Sequence, residues 1–367
     1  MSQYPDSPLC SRLGASVPIF GFSHSLDVVV AISRAGGIGV WGATRNTPAE
    51  IESGLARLAT ETAGAPFAVD LVLPKDMPAR QDRSAIEEAI PTEHRAFVDG
   101  LRRKYQVPDD GLPGVRSRFV RSEEMATDQL HAVLDSEVPL VAMGVGTPPA
   151  AVTAAKERGK RIISLVGAPK HAQRAIDAGA DILVAQGYDA GAHTGEIGTF
   201  SLVPQIVELA GEIPVIAAGG VATGRHILAA FALGAQAVWM GTAWLFTTEH
   251  QIDPIIAAKL VRAGSGDTVR SRADSGKTLR QIKSAWTEEW SAAAAPTPLG
   301  MPYQDILVGD LLGSVERNRI EPLMKSEAGQ SVGYFSGQTT VPELMADLAT
   351  QTSTATGALR NRLGHND

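Results

Sequence analysis

Residues 175 to 187 read AIDAGADILVAQG. The first residues continue a helical pattern. Gly179 can take the left-handed conformation that ends a helix, ILVA is a short apolar run, and a glycine closes the unit. The arrangement returns as AISRAGGIGVWG at 31–42 and as AFALGAQAVWMG at 230–241. Each is the end of a helix followed by a strand that leaves the core at a glycine, so the chain is built from repeating αβ units. Helix starts carry matching signals. Thr47-Pro48-Ala49-Glu50 forms a capping box with proline at the first helical position, and Thr147-Pro148 repeats the Thr-Pro start.

Working outward gives eight candidate strands: VPIFG (17–21), IGVWG (38–42), FAVDLVL (67–73), VPLVAMG (138–144), RIISLVG (161–167), DILVAQG (181–187), PVIAAGG (214–220) and AVWMG (237–241). Near-continuous apolar strands suit a sheet covered on both faces. Eight such units predict an α/β fold, a (β/α)8 TIM barrel, with a doubly wound sheet as the alternative. Strands one to three fall in residues 1–74. A charged, helical excursion over 75–121 reads as a lid. Strands four to eight occupy 122–250, further helices including LRQIKSAWTEEWSAAAA pack on the barrel over 251–350, and 351–367 is a polar tail.

Composition narrows the chemistry. The 367 residues are 44% hydrophobic and 20% charged, enough for a large core, and the formal charge of −7 disfavours nucleic acid as a partner. The opening residues show no apolar leader, and no segment approaches the roughly 18 apolar residues of a membrane span, so a cytoplasmic protein is expected. Cys10 is the only cysteine. It excludes an internal disulfide and a cysteine redox pair, so redox chemistry would come from a bound cofactor. No HExxH, carboxylate triad or GxSxG points to a metal or a serine nucleophile.

GIGVWG at 37–42 satisfies the G-x-G-x-x-G pattern, yet a helix precedes it and a strand runs between its glycines, the reverse of a dinucleotide fingerprint. Gly219-Gly220 after the seventh strand and Gly241-Thr242 after the eighth are better placed. In this barrel those loops build phosphate sites, and Thr223 would cap a helix whose N-terminus faces the same anion. A phosphate-bearing cofactor is expected there, with flavin mononucleotide (FMN) favoured.

DILVAQGYDAGAHTG (181–195), followed by PVIAAGGVATGRHILAAFALGAQAVWMGTAWL (214–245), resembles the nitronate monooxygenase family, FMN-dependent (β/α)8 barrels. PIFGFSHSLDVVVAISRAGGIGVWGA and GQSVGYFSGQTTVPELMADL extend the resemblance toward both termini. It implies that Gln186 reaches the flavin from the sixth strand and that Gly191 packs against its ring. Gly219, Gly220, Gly241 and Thr242 would cradle the phosphate, and Gly21, Phe22 and Asp70 would belong to the cofactor wall. His193 would stand beside the reactive part of the flavin as a base or nitro-group ligand. The chain departs from the family at two positions. Ala192 stands where a glycine is usual, and Asp70 replaces an asparagine, placing an ionised carboxylate at the flavin's pyrimidine edge.

The resemblance implies oxidation of alkyl nitronates with O2 to carbonyl compounds and nitrite. The alternative is an FMN-dependent NAD(P)H reductase of quinones or enoyl thioesters such as acyl-CoA, with Lys75, Arg80, Arg102, Arg103, Lys104, Arg116 and Arg118 as a nucleotide patch. A flavin-binding scaffold without turnover is the non-enzymatic reading. A homodimer is the oligomer considered. His24 is a loop histidine or substrate contact, and His226 a packing residue. Asp189 and Glu196 read as loop or substrate contacts.

Overall fold

The computed structural model describes residues 3–73 and 77–364, so Lys75 lies outside the described residues. All eight apolar runs become parallel strands of one closed barrel. They are β1 (Ile19–Ser23), β2 (Ile38–Gly42), β3 (Phe67–Val72), β4 (Leu140–Gly144), β5 (Arg161–Val166), β6 (Ile182–Gln186), β8 (Val215–Ala218) and β9 (Ala237–Met240). The two-residue β7 (Ala192–His193) lies outside the barrel. Pairing of β1 with β9, Ile19 opposite Val238, closes the ring.

Side chains alternate along each strand, and that parity sorts the barrel. Phe20, Val40, Ala68, Ala142, Val184 and Trp239 form the interior cluster, whereas Ile19, Val69, Val141, Leu183 and Val238 pack outward with the helices. Leu9 and Cys10, on helix Pro8–Arg12, join the interior cluster. Ser7 Oγ donates to the carbonyl of Gln236, just before β9, at 2.6 Å, so this helix closes the N-terminal end of the barrel. The interior parity then places Phe22, Asp70 and Gln186 at the other end, where the strands run out.

The Thr47 cap forms as the sequence predicts. Glu50 N–H donates to Thr47 Oγ1 at 3.3 Å, and Thr47 N–H donates to Glu50 Oε2 at 2.8 Å. Thr147 does not cap: its hydroxyl lies 2.5 Å from that of Ser164, and Pro148 precedes helix Pro149–Glu157 without a side-chain cap. GIGVWG is strand, as its context implies, with Gly39 so close to the preceding helix that a methyl group would lie 2.2 Å from the Val29 carbonyl oxygen.

The excursion holds helices Arg83–Ala89 and Thr92–Lys104. Its Val98 and Leu101 share a core with Trp286, Trp290, Val308 and Leu311, so excursion and C-terminal region form one cap. That C-terminal region is not only helical. LRQIKSAWTEEWSAAAA begins as a strand, β11 (Leu279–Ile282), antiparallel to β10 (Thr268–Ser271), and only Ala285–Ser291 is helix. β11 is buried along its whole length between β10 and β7, so it lacks the polar alternation that betrays a strand. The segment expected to be a polar tail from 351 continues helix Val341–Arg362, with Thr352 buried. Among the described residues no helix is long and apolar enough to cross a membrane.

Candidate active site

The site lies where the strands end. β6 delivers Gln186, whose Nε2 donates to the carbonyl of His193 at 3.2 Å. Between them the loop folds back on itself: Asp189 Oδ2 accepts from Thr199 N–H at 2.9 Å, at the start of helix Thr199–Ala210. Glu196 stays outside, 3.9 Å from Arg270. β7 pairs with β11, His193 opposite Leu279 and Ala192 opposite Arg280. Arg280 Nε donates to the Tyr188 carbonyl at 2.9 Å and so ties the loop to the hairpin. The histidine is therefore held by backbone pairing from a segment 86 residues downstream.

Ala192 has φ +59°, in the left-handed region where glycine is at ease and a methyl group is not. Ala192→Gly is expected to stabilise the fold by about 1 kcal/mol, the strain outweighing the added freedom of the unfolded chain. Urea denaturation checks it, and a loss of stability would show the loop to be unstrained.

His193 Nε2 lies 2.9 Å from Ser275 Oγ, in the turn between β10 and β11. Burial, then the positive charges of Arg116 and Arg45, push its imidazole down to about 4. The ring is neutral at pH 7, in contrast to the near-neutral titration of a free histidine. Asp70 is buried on β3, and its Oδ1 has no hydrogen-bond partner among the described residues. Burial raises this carboxyl to about 7, so the fully ionised carboxylate expected from sequence is not what the barrel holds.

Around them stands a charged network that local pattern does not reveal. Arg45 meets Asp305 at 3.1 Å. Arg116 reaches Glu327 at 2.5 Å, and Asp305 and Asp274 at 3.6 Å each. Lys325 pairs with Asp274. Arg121 donates to the Val72 carbonyl at 2.9 Å, and burial together with Arg45 and Arg116 lowers it to about 9. Much of the expected nucleotide patch is thereby engaged within the chain. Besides Arg116, Arg118 pairs with Glu50 at 2.5 Å, Lys104 with Glu289 at 2.5 Å, and Arg102 donates to the Pro108 carbonyl at 2.6 Å.

The glycine positions divide. Gly219 and Gly220 have φ +99° and +75°, and a methyl group at Gly219 would lie 2.7 Å from Thr199 Oγ1. One at Gly241 would meet nothing nearer than Phe22 at 4.0 Å, so backbone there is open to a ligand. Thr242 Oγ1 accepts from Gly329 N–H at 2.9 Å. Gly21 faces outward, where a methyl group would collide with Ile32 at 2.3 Å; its glycine serves strand-to-helix packing. Gly191 abuts Ala328–Gly329, 2.9 Å from where its methyl group would be, so glycine there allows close packing on the C-terminal loop.

Phe22 stacks on Trp239 at 6.1 Å, and His24 Nδ1 lies 2.7 Å from the Gly42 carbonyl oxygen. Thr223 begins helix Gly224–Ala232, but its N–H donates to His226 Nδ1 at 3.2 Å and that of Gly224 to Gln351 Oε1 at 3.0 Å. Those two N–H groups are satisfied within the protein. His226 is a capping residue, set edge-on to Tyr334 with ring centroids 5.0 Å apart. Among the described residues no cluster of histidine, cysteine and carboxylate could hold a metal ion.

A parallel eightfold barrel with a neutral histidine clamped at its C-terminal end, beside partly buried arginines, is a TIM barrel with its candidate site on the face where such barrels carry their chemistry, and its family makes it an oxidoreductase. The chain belongs to the nitronate monooxygenase family, whose sequence profile matches residues 17–351. It is 41% identical over 339 residues to Rv1533 of Mycobacterium tuberculosis, covering 89% of this chain and 88% of that one. It is 30% identical to a protein of Staphylococcus haemolyticus named "probable nitronate monooxygenase", over 92% and 93% of the two chains. Among solved structures, nitroalkane oxidase from Streptomyces ansochromogenes superposes with a TM-score of 0.81 at 25% identity, covering 95% of this chain and 99% of the other. FabK from Thermotoga maritima gives 0.76 at 26%, over 98% and 99%.

Proposed function

We propose that the protein is an FMN-dependent nitronate monooxygenase that converts alkyl nitronates and O2 to carbonyl compounds and nitrite. The observation that carries this reading is His193, neutral at pH 7 and held at the barrel mouth within the field of Arg45 and Arg116. That field suits an anion, and a nitronate is one. Its arrival would raise the affinity of the imidazole for a proton, so one side chain can bind the nitro group's charge and take a proton.

The residues fit FMN. Gly220 and Gly241 leave room beside the backbone for a phosphate while Gly219 packs against Thr199, Gln186 and Asp70 point inward toward the C-terminal ends of their strands, and the buried Oδ1 of Asp70 lacks a partner that a flavin ring would supply. Bound there, FMN supplies acceptance of electrons from the nitronate and their delivery to O2. The chain's own part is to hold the substrate anion, orient it through His193 and Ser275, and exclude water beneath the β10–β11 hairpin.

The likeness to FabK supports a second reading, an NAD(P)H-dependent reductase of quinones or enoyl thioesters. Against it, Arg102, Lys104 and Arg118 already bind acceptors of this chain. Anaerobic mixing separates the two. Ethyl nitronate alone is expected to bleach the flavin absorbance of the purified protein. Bleaching by NADH or NADPH and not by the nitronate would establish the reductase.

A further inference from the structure

Asp70 is a buried carboxylate at the barrel mouth that, among the described residues, the charged network leaves aside. Arg45 and Arg116 pair with Asp305, Asp274 and Glu327, and Arg121 donates to the Val72 carbonyl. The elements beside Asp70 offer little else. On β2 it is level with Gly42, whose carbonyl is occupied by His24, and on β4 with Ala142, two residues before Gly144, which carries no side chain. A methyl group built on Gly144 would sit 3.8 Å from Asp70 Oδ1, so that glycine leaves the oxygen's surroundings open. β3 also stands opposite β8 in the ring of eight strands, across the mouth from Gly219 and Gly220.

A flavin whose phosphate lies against those glycines would turn its ring toward the far wall. Only the pyrimidine edge of that ring can satisfy a buried polar oxygen, because the dimethylbenzene edge has nothing to donate or accept. That edge presents N3–H, a donor, beside carbonyl oxygens, which accept. A neutral carboxylic acid matches this pair with its C=O and its O–H, whereas a carboxylate matches only the donor and sets negative charge against a carbonyl.

We propose that Asp70 binds the flavin as a neutral carboxylic acid, donating its O–H to a ring carbonyl and accepting from N3–H, so that FMN is retained together with a proton. The proposal rests on the FMN reading above. Burial, which already favours the neutral form of this side chain, acts in the same direction. The sign follows from linkage: a complex that holds one more proton than the separated protein and ligand weakens as pH rises.

The test is dilution of the FMN-loaded protein between pH 6 and 9, with released flavin read by its fluorescence. Wild type is expected to lose affinity by about tenfold or more over this range, and Asp70→Asn to lose little, its amide keeping both a donor and an acceptor at every pH. Ionisation of the FMN phosphate affects both proteins alike, and riboflavin as a second probe removes it. Should Asp70→Asn fail to fold, calorimetry of FMN binding to wild type at pH 8 in buffers of different ionisation enthalpy reads the proton uptake directly. Parallel pH profiles for the two proteins, or no proton uptake, would overturn the proposal while leaving FMN binding intact. Absence of FMN binding at every pH would overturn the FMN reading itself, and this proposal with it.

Discussion

Replacing His193 by alanine is expected to lower kcat/KM for a nitronate by about 10² to 10⁴, the range associated with losing a positioned acid or base. The loss should fall on chemistry rather than on architecture. β7 is held to β11 by backbone groups, and Gln186 donates to the carbonyl of residue 193, so neither contact needs the imidazole. The variant should therefore fold and keep its flavin spectrum. With the ring held at about 4, wild type keeps a neutral imidazole from pH 5.5 to 8, and its rate should not show a histidine titration near 6.5. Single-turnover reduction of the flavin by ethyl nitronate across that range measures both effects. A variant within threefold of wild type would remove His193 from the reaction, and a wild-type inflection near 6.5 that disappears in His193→Ala would show that burial and the arginines do not hold the ring neutral.

The barrel could be read from sequence because each strand announces itself locally. A run such as ILVA between Gly179 and Gly187 is decided by a dozen neighbouring residues, and eight such runs leave few folds. Gln186 ends such a run, Asp70 lies inside one and His193 follows one, but the roles expected of them came from the family resemblance and not from the runs. What escaped depends on contacts across great lengths of chain. Ser275 meets His193 across 82 residues, and Arg45 meets Asp305 across 260. Nothing near Arg116 distinguishes an arginine bound for a buried network from one on a solvated face. β11 escaped because burial on every side erased its alternation. The charge states also escaped: Asp70 and His193 have shifted in opposite directions through burial, which only the fold determines.

That dependence on distant contacts makes Asp274 a position where one carboxylate ties several segments of the cap together. Its carboxylate is fully buried in the turn that carries Ser275. It accepts from Trp286 Nε1 at 2.8 Å and Gln281 Nε2 at 3.3 Å, pairs with Lys325, and lies 3.6 Å from Arg116. Asp274→Ala would leave a buried ammonium and an indole N–H without this acceptor, and removing one member of such a pair costs about 3–5 kcal/mol. Asp274→Asn keeps an acceptor for the indole while losing the charge, so its cost should be smaller. Because the pair is shielded from solvent, added salt should change neither value much. The same substitution frees the turn that holds Ser275 against His193, so the rate of nitronate oxidation should fall even where the protein remains folded. Urea denaturation of the two variants, at low and high salt, tests the energetic claim. A cost below about 1 kcal/mol for Asp274→Ala would mean that water reaches Lys325 and that the cap is held by its apolar core alone.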